Sequence, residues 1–130
     1  MSFEPKWINK KIAEAIHIDQ IKQHGGLHGI REEGLLESAL DRPKNVRHNK
    51  PKSSIFELAS SLGFGIAKNH PFIDGNKRTS FLLMYVFLAL NGFRMEASEN
   101  DIVQVMLKVA DGSINESELS IWIEKNSIPN

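Results

Sequence analysis

Residues 70–90, HPFIDGNKRTSFLLMYVFLAL, decide how this chain is read. The opening part, His70-Pro71-Phe72-Ile73-Asp74-Gly75-Asn76-Lys77-Arg78, puts a histidine, a carboxylate, a Gly-Asn pair and two adjacent cations on one short loop. The run from Thr79 to Leu90 is long and apolar enough to be a buried helix. A helix N-terminus offers free backbone N–H groups and the positive end of the helix dipole, and both favour an anion. Taken singly, Asp74-Gly75 is a turn signal and His70 a helix cap or surface group. Lys77 and Arg78 oppose the dipole where they stand, which makes sense if an anion sits between them. Together these are the parts needed to hold a nucleotide's phosphates beside a nucleophile.

Outward from this stretch the patterns are helical. A first helix is expected over residues 10–23, capped by Asn9, with Ile8, Ile12, Ala15 and Ile16 on its core face and Gly25-Gly26 ending it. Leu35, Leu36, Ala39 and Leu40 mark a short second helix that stops before Pro43. Residues 42–52 hold Arg42, Lys44, Arg47, Lys50 and Lys52 with no acid and two prolines, and read as a solvated basic loop. Ser53 or Ser54 caps a third helix over 55–69, with Ile55, Leu58, Ala59, Leu62 and Ile66 spaced for the core. Asn91-Gly92 closes the apolar fourth helix, and residues 93–97 form a short strand or extended segment. Ser98 with Asp101 starts a helix over 99–110, and the Asn115/Glu118 capping box starts a last one to about Lys125. The expected fold is all-α: a single domain over 1–130, a compact bundle of about six helices around the buried helix after the loop, with at most a small β hairpin or flap.

Lys+Arg and Asp+Glu balance at 16 each, so no bulk charge argues for nucleic acid or an acidic membrane. The absence of cysteine excludes disulfides, thiolate metal sites and a cysteine nucleophile, and fits a reducing compartment. Residues 1–7 carry no apolar leader, and the apolar run 81–90 is about half of what spans a bilayer. A soluble, cytoplasmic protein without membrane contact is expected.

HPFIDGNKR resembles the signature loop of the Fic/Doc family: a histidine, an aromatic two residues on, an acid, then Gly/Ala-Asn, Gly or Lys, and Arg. The segment GGLHGIREEGLLESAL, residues 25–40, resembles the start of the smaller Doc (death-on-curing) branch. The resemblance and the side-chain chemistry imply the same roles. His70 is the general base for a target hydroxyl, since imidazole titrates near working pH. Asp74 holds Mg²⁺, a hard cation suited to oxygen ligands. Gly75 permits close backbone approach and Asn76 adds an amide N–H, while Lys77 and Arg78 neutralise the phosphates of ATP. Pro71, Phe72 and Ile73 are structural, with Phe72 plugged into the core. By resemblance, residues 26–34 lie near the site and seat the target, with Leu27, His28 and Ile30 exposed.

Adenylylating members of the family resemble GNGRxxR. Here Lys77 replaces the second glycine and Phe81 takes the place of the second arginine. That resembles the Doc branch, whose toxins phosphorylate elongation factor Tu with ATP bound in the opposite sense. The function implied is the toxin of a type II toxin–antitoxin pair that moves the γ-phosphate of ATP to a Ser/Thr hydroxyl and blocks translation. Larger members carry an inhibitory [ST]-x-x-x-E-[GN] helix. Ser120-Ile121-Trp122-Ile123-Glu124-Lys125 misses its last position and reads as a plain amphipathic helix with Leu119, Trp122 and Ile123 inward. Restraint is therefore expected from a cognate antitoxin with a segment that folds on binding. Two alternatives stand beside this reading. AMP transfer on the same fold is opposed by Lys77 and Phe81. A non-enzymatic nucleic-acid-binding or regulatory module would use the basic loop, but it leaves residues 70–78 unexplained, so no direct nucleic acid contact is expected.

Overall fold

The structure, a computed structural model, describes residues 4–130; Met1 to Phe3, at the start of the segment read for a leader, lie outside the described residues. In chain order the elements are α1 (Lys10–His24), α2 (Glu33–Asn49), α3 (Ile55–Asn69), α4 (Asn76–Leu90), β1 (Phe93–Met95), α5 (Glu99–Asp111), α6 (Glu116–Lys125) and β2 (Ser127–Pro129). The all-α expectation holds. Helix starts follow local capping chemistry: the Asn9 side chain accepts from the Ile12 N–H and Ser98 from that of Asp101. Ser54/Glu57 and Asn115/Glu118 form complete capping boxes.

Helix α3 runs through the middle of the bundle, because small residues let its neighbours approach from several sides. A Cβ on Gly63 would lie 2.3 Å from Met84 Sδ of α4, and one on Gly65 would lie 3.1 Å from the Ala39 Cα of α2. Two hydroxyls on this interior find carbonyls: Ser60 donates to Glu116 O at 2.6 Å and Ser80 to Gly63 O at 2.7 Å. Helix α4 buries Leu83, Met84, Phe87 and Leu88 against it, as a core helix should, while Tyr85 and Leu90 stay exposed.

Two local expectations are corrected. Helix α2 does not stop before Pro43; it continues to Asn49, so most of residues 42–52 is helix and not loop. Proline removes one intrahelical bond and crowds the carbonyl four residues back. Burial of Leu36, Ala39, Leu40 and Pro43 together, with Arg42 paired to Glu116, outweighs that local penalty. The chain turns only after Asn49, where Ser53 Oγ donates to Lys50 O. On α1 the buried residues are Ala13, His17, Gln20 and Ile21; Ile12 and Ile16 are half-buried and Ala15 is exposed. The face is rotated by about one residue from the aliphatic stripe, for a reason that lies in the signature loop.

The extended segment after α4 does become a strand. β1 pairs antiparallel with β2, Phe93 opposite Pro129 and Met95 opposite Ser127. This sheet joins distant segments and sits at the far end of α4 from the loop, where Asn130 N donates to Gly92 O at 2.9 Å. No helix among the described residues is long and apolar enough to cross a membrane.

Candidate active site

The loop between α3 and α4 starts with a backbone irregularity. His70 caps α3 at φ 49 and ψ 55, the only non-glycine residue with positive φ among those described. Such a left-handed residue persists only when its surroundings hold it there. Arg31 does this from outside the helix: its Nε donates to His70 O and its Nη2 to Asn69 O, each at 2.8 Å. The imidazole of His70 is exposed, and among the described residues neither ring nitrogen is committed to a neighbour.

Residues 29–32 run antiparallel beside the loop. Arg31 N donates to Pro71 O at 2.7 Å and Ile73 N to Gly29 O at 3.0 Å, and Ile30 bridges Phe72. The glycine-rich segment therefore lies beside the loop. Leu27 and His28 are exposed as expected, but Ile30 is half-buried by this pairing. Phe72 is buried at the core edge, its ring stacked on His17 with centroids 4.0 Å apart and planes within 6°.

Asn76 closes the loop on itself. Its Oδ1 accepts from Phe72 N at 3.0 Å and its Nδ2 donates to Phe72 O at 2.9 Å. The side-chain amide expected to meet phosphate is thus engaged in the loop. What remains for an anion is backbone: the N–H groups of Asn76, Lys77 and Arg78 open α4 with no side-chain cap. Asp74 is exposed beside them. Its Oδ1 accepts from Gly75 N at 3.0 Å and its Oδ2 from Leu27 N at 3.3 Å, which leaves lone pairs on both oxygens. No group of three metal-ligating side chains occurs among the described residues. A lone carboxylate beside uncapped helix N–H groups fits Mg²⁺, which takes one or two carboxylates and fills its other positions with phosphate oxygens and water.

Gly75 has φ 74, and a Cβ there would stand 2.1 Å from Gln20 Nε2. The close approach that glycine permits is to α1. From the same helix His17 Nε2 bonds Asp74 O at 2.8 Å, and Gln20 Oε1 accepts from Arg78 Nη1 at 3.0 Å. His17, Gln20 and Arg31 were not among the site residues expected from sequence. The available signal was a pair of polar residues three apart, in line with Ala13 and Ile21, on a helix whose aliphatic stripe lies one residue away. Lys77 and Arg78 are exposed and border a groove of about 220 Å³ walled by Phe81, Ile102, Val103, Met106 and Leu107. Phe81, tilted against Tyr85, makes that wall apolar.

Residues 120–124 lie elsewhere. Glu124 shares a surface groove with Ser54 and Glu57 at the start of α3, and the loop begins at that helix's other end. Leu119 and Ile123 are buried and Trp122 half-buried, as in a plain amphipathic helix.

Solved structures give the class of domain. The N-terminal Fic domain of a VirB-translocated Bep effector protein of Bartonella quintana, with bound ADP, matches with a TM-score of 0.51 at 16% identity, over 73% of this chain and 48% of that one. BepC of Bartonella tribocorum with bound AMPPNP matches at 0.50 and 15% identity, over 73% and 49%. The fold is that of a Fic domain. The family model described as Fic/DOC family matches residues 7–88, and the chain belongs to that family. Toxin Doc of Mycolicibacterium smegmatis is 34% identical over 74 residues, 56% of this chain and 57% of the relative, so the chain spans just over half of that protein. Protein kinase doc of Escherichia phage P1 is 27% identical over 106 residues, 82% of this chain and 83% of the relative. These two relatives support the Doc branch.

Proposed function

We propose that this protein is a Doc-type toxin that transfers the γ-phosphate of ATP to a Ser/Thr hydroxyl of a target protein. The observation that carries the proposal is the set gathered at the start of α4: the exposed His70 imidazole, the Asp74 carboxylate, three free N–H groups, and Lys77 with Arg78. The phage P1 relative named as a protein kinase supports the phosphate reading over AMP transfer. So does Phe81, an apolar groove wall where a second phosphate-binding arginine would be needed.

The target hydroxyl oxygen attacks the γ-phosphorus while the bond to the β,γ-bridging oxygen breaks, and ADP leaves. The hydroxyl proton passes to the imidazole of His70. Charge gathering on the transferring and leaving oxygens meets Lys77, Arg78 and the N–H groups of residues 76–78. Asp74 would hold Mg²⁺, which neutralises phosphate charge when bound. Elongation factor Tu is the target that the Doc resemblance implies, and a cognate antitoxin the restraint, both in the cytoplasm.

Incubation with bacterial lysate and labelled ATP tests the reading. Label from γ-³²P-ATP, and not from α-³²P-ATP, is expected on one protein band. Label from α-³²P would replace phosphate transfer by AMP transfer.

A further inference from the structure

We infer that Gln20 of α1 is a positioning residue that sets the guanidinium of Arg78 for the phosphate it meets. The inference rests on the phosphoryl-transfer reading of residues 70–78. Gln20 is 1% exposed, and its side chain is divided between two tasks. Oε1 accepts a hydrogen bond from Arg78 Nη1 at 3.0 Å, while Nε2 lies against Gly75 with no hydrogen-bond partner. Arginine only donates, so the oxygen must be the atom that faces it.

A buried donor without a partner disfavours folding, and a leucine or methionine would fill the same space between α1 and Gly75 without it. The amide is therefore not explained by packing. It is explained by its acceptor, which reaches an otherwise exposed cation on the first turn of α4. Arg78 has a long, rotamer-rich side chain beside another cation, Lys77, and a fixed acceptor removes much of that freedom before nucleotide arrives. Three residues earlier on the same face, His17 holds the Asp74 carbonyl and stacks on Phe72. One rigid helix thus spaces the carboxylate end of the loop from the arginine end. Misplacing a phosphate-binding group by about 1 Å lowers transfer by up to about 100-fold.

Gln20→Leu keeps volume and removes the acceptor, whereas Gln20→Glu keeps an acceptor for Arg78. With the full chain, ATP and Mg²⁺, Gln20→Leu is expected to lower kcat about 10-fold or more with a smaller change in KM for ATP, and Gln20→Glu to recover most of the loss. Wild-type kcat in Gln20→Leu, or equal damage in both variants at unchanged melting temperature, would overturn the inference. A readout independent of turnover and of the variants' folding is the Nη1–H signal of Arg78, the group that donates to Gln20 Oε1, in NMR of the wild-type protein. It is expected as a resolved, slowly exchanging resonance; a freely averaged guanidinium would also overturn the inference. A wild type that shows this signal but transfers no phosphate would instead refute the functional reading on which the role of Gln20 depends.

Discussion

His70 occupies a backbone region that disfavours any side chain with a Cβ, and Arg31 holds it there through two carbonyls. Replacing it with alanine leaves those carbonyl contacts in place. His70→Ala is expected to lower transfer by about 100-fold or more. Unfolding free energy, measured by urea titration, should stay within about 0.5 kcal/mol of wild type, as for a surface change. Asp74→Asn keeps an acceptor for one of the two backbone N–H groups and loses the charge. A rise of several-fold in the Mg²⁺ concentration for half-maximal transfer is expected, and unchanged metal dependence would remove Asp74 from the ligand role. Gly75→Ala combines a left-handed backbone with a Cβ 2.1 Å from Gln20 Nε2, and should cost about 1–3 kcal/mol in the same titration. The residues proposed to carry the chemistry stood out in the sequence because they are consecutive and of unusual type. Asn76 was only half legible: its identity was informative, but a side chain that bonds the backbone four residues back cannot be told in sequence from one that faces a ligand.

Helices α3 and α4 are held together by the absence of a side chain. Gly63→Ala would bring a Cβ within 2.3 Å of the fully buried Met84, and is expected to destabilise by about 1–3 kcal/mol through overpacking, read as a lower urea midpoint. Helix starts at Asn9, Ser54, Ser98 and Asn115 could be read ahead of the structure because capping chemistry is complete within four residues. The end of α2 could not. Whether a helix tolerates Pro43 depends on what its far side buries, and that side packs on α3, which begins a dozen residues later. The face of α1 escaped for a similar reason: His17 and Gln20 look like solvent residues until Asp74 and Arg78 are brought beside them. β2 carries no strand pattern of its own, and only pairing with β1 makes it one.

For the whole molecule, the placement of α6 bears on how the proposed activity would be restrained. Residues 120–124 lie at the start of α3, away from the loop, so among the described residues this helix does not cover the site. On the proposed toxin reading, restraint would come from a separate antitoxin. Expression of the chain alone is expected to arrest growth, and the His70→Ala variant to relieve the arrest at equal protein level, measured by culture density and immunoblot. Normal growth with abundant active protein would count against a toxin that requires neutralisation.

The pair of bonds between Asn76 and Phe72 has a thermodynamic consequence. A loop that already satisfies its own backbone, and is pinned from α1 and from Arg31, has little configurational entropy left to surrender when a nucleotide arrives. Preorganisation of this kind shows in the ligand-free protein: the Phe72 amide should resist deuterium exchange without nucleotide, and saturating ATP should slow it little further. Asn76→Ala would leave both polar groups of a buried residue unpaired. The loop would then have to order on binding, and the heat of ATP association would become more favourable while its entropy became less so.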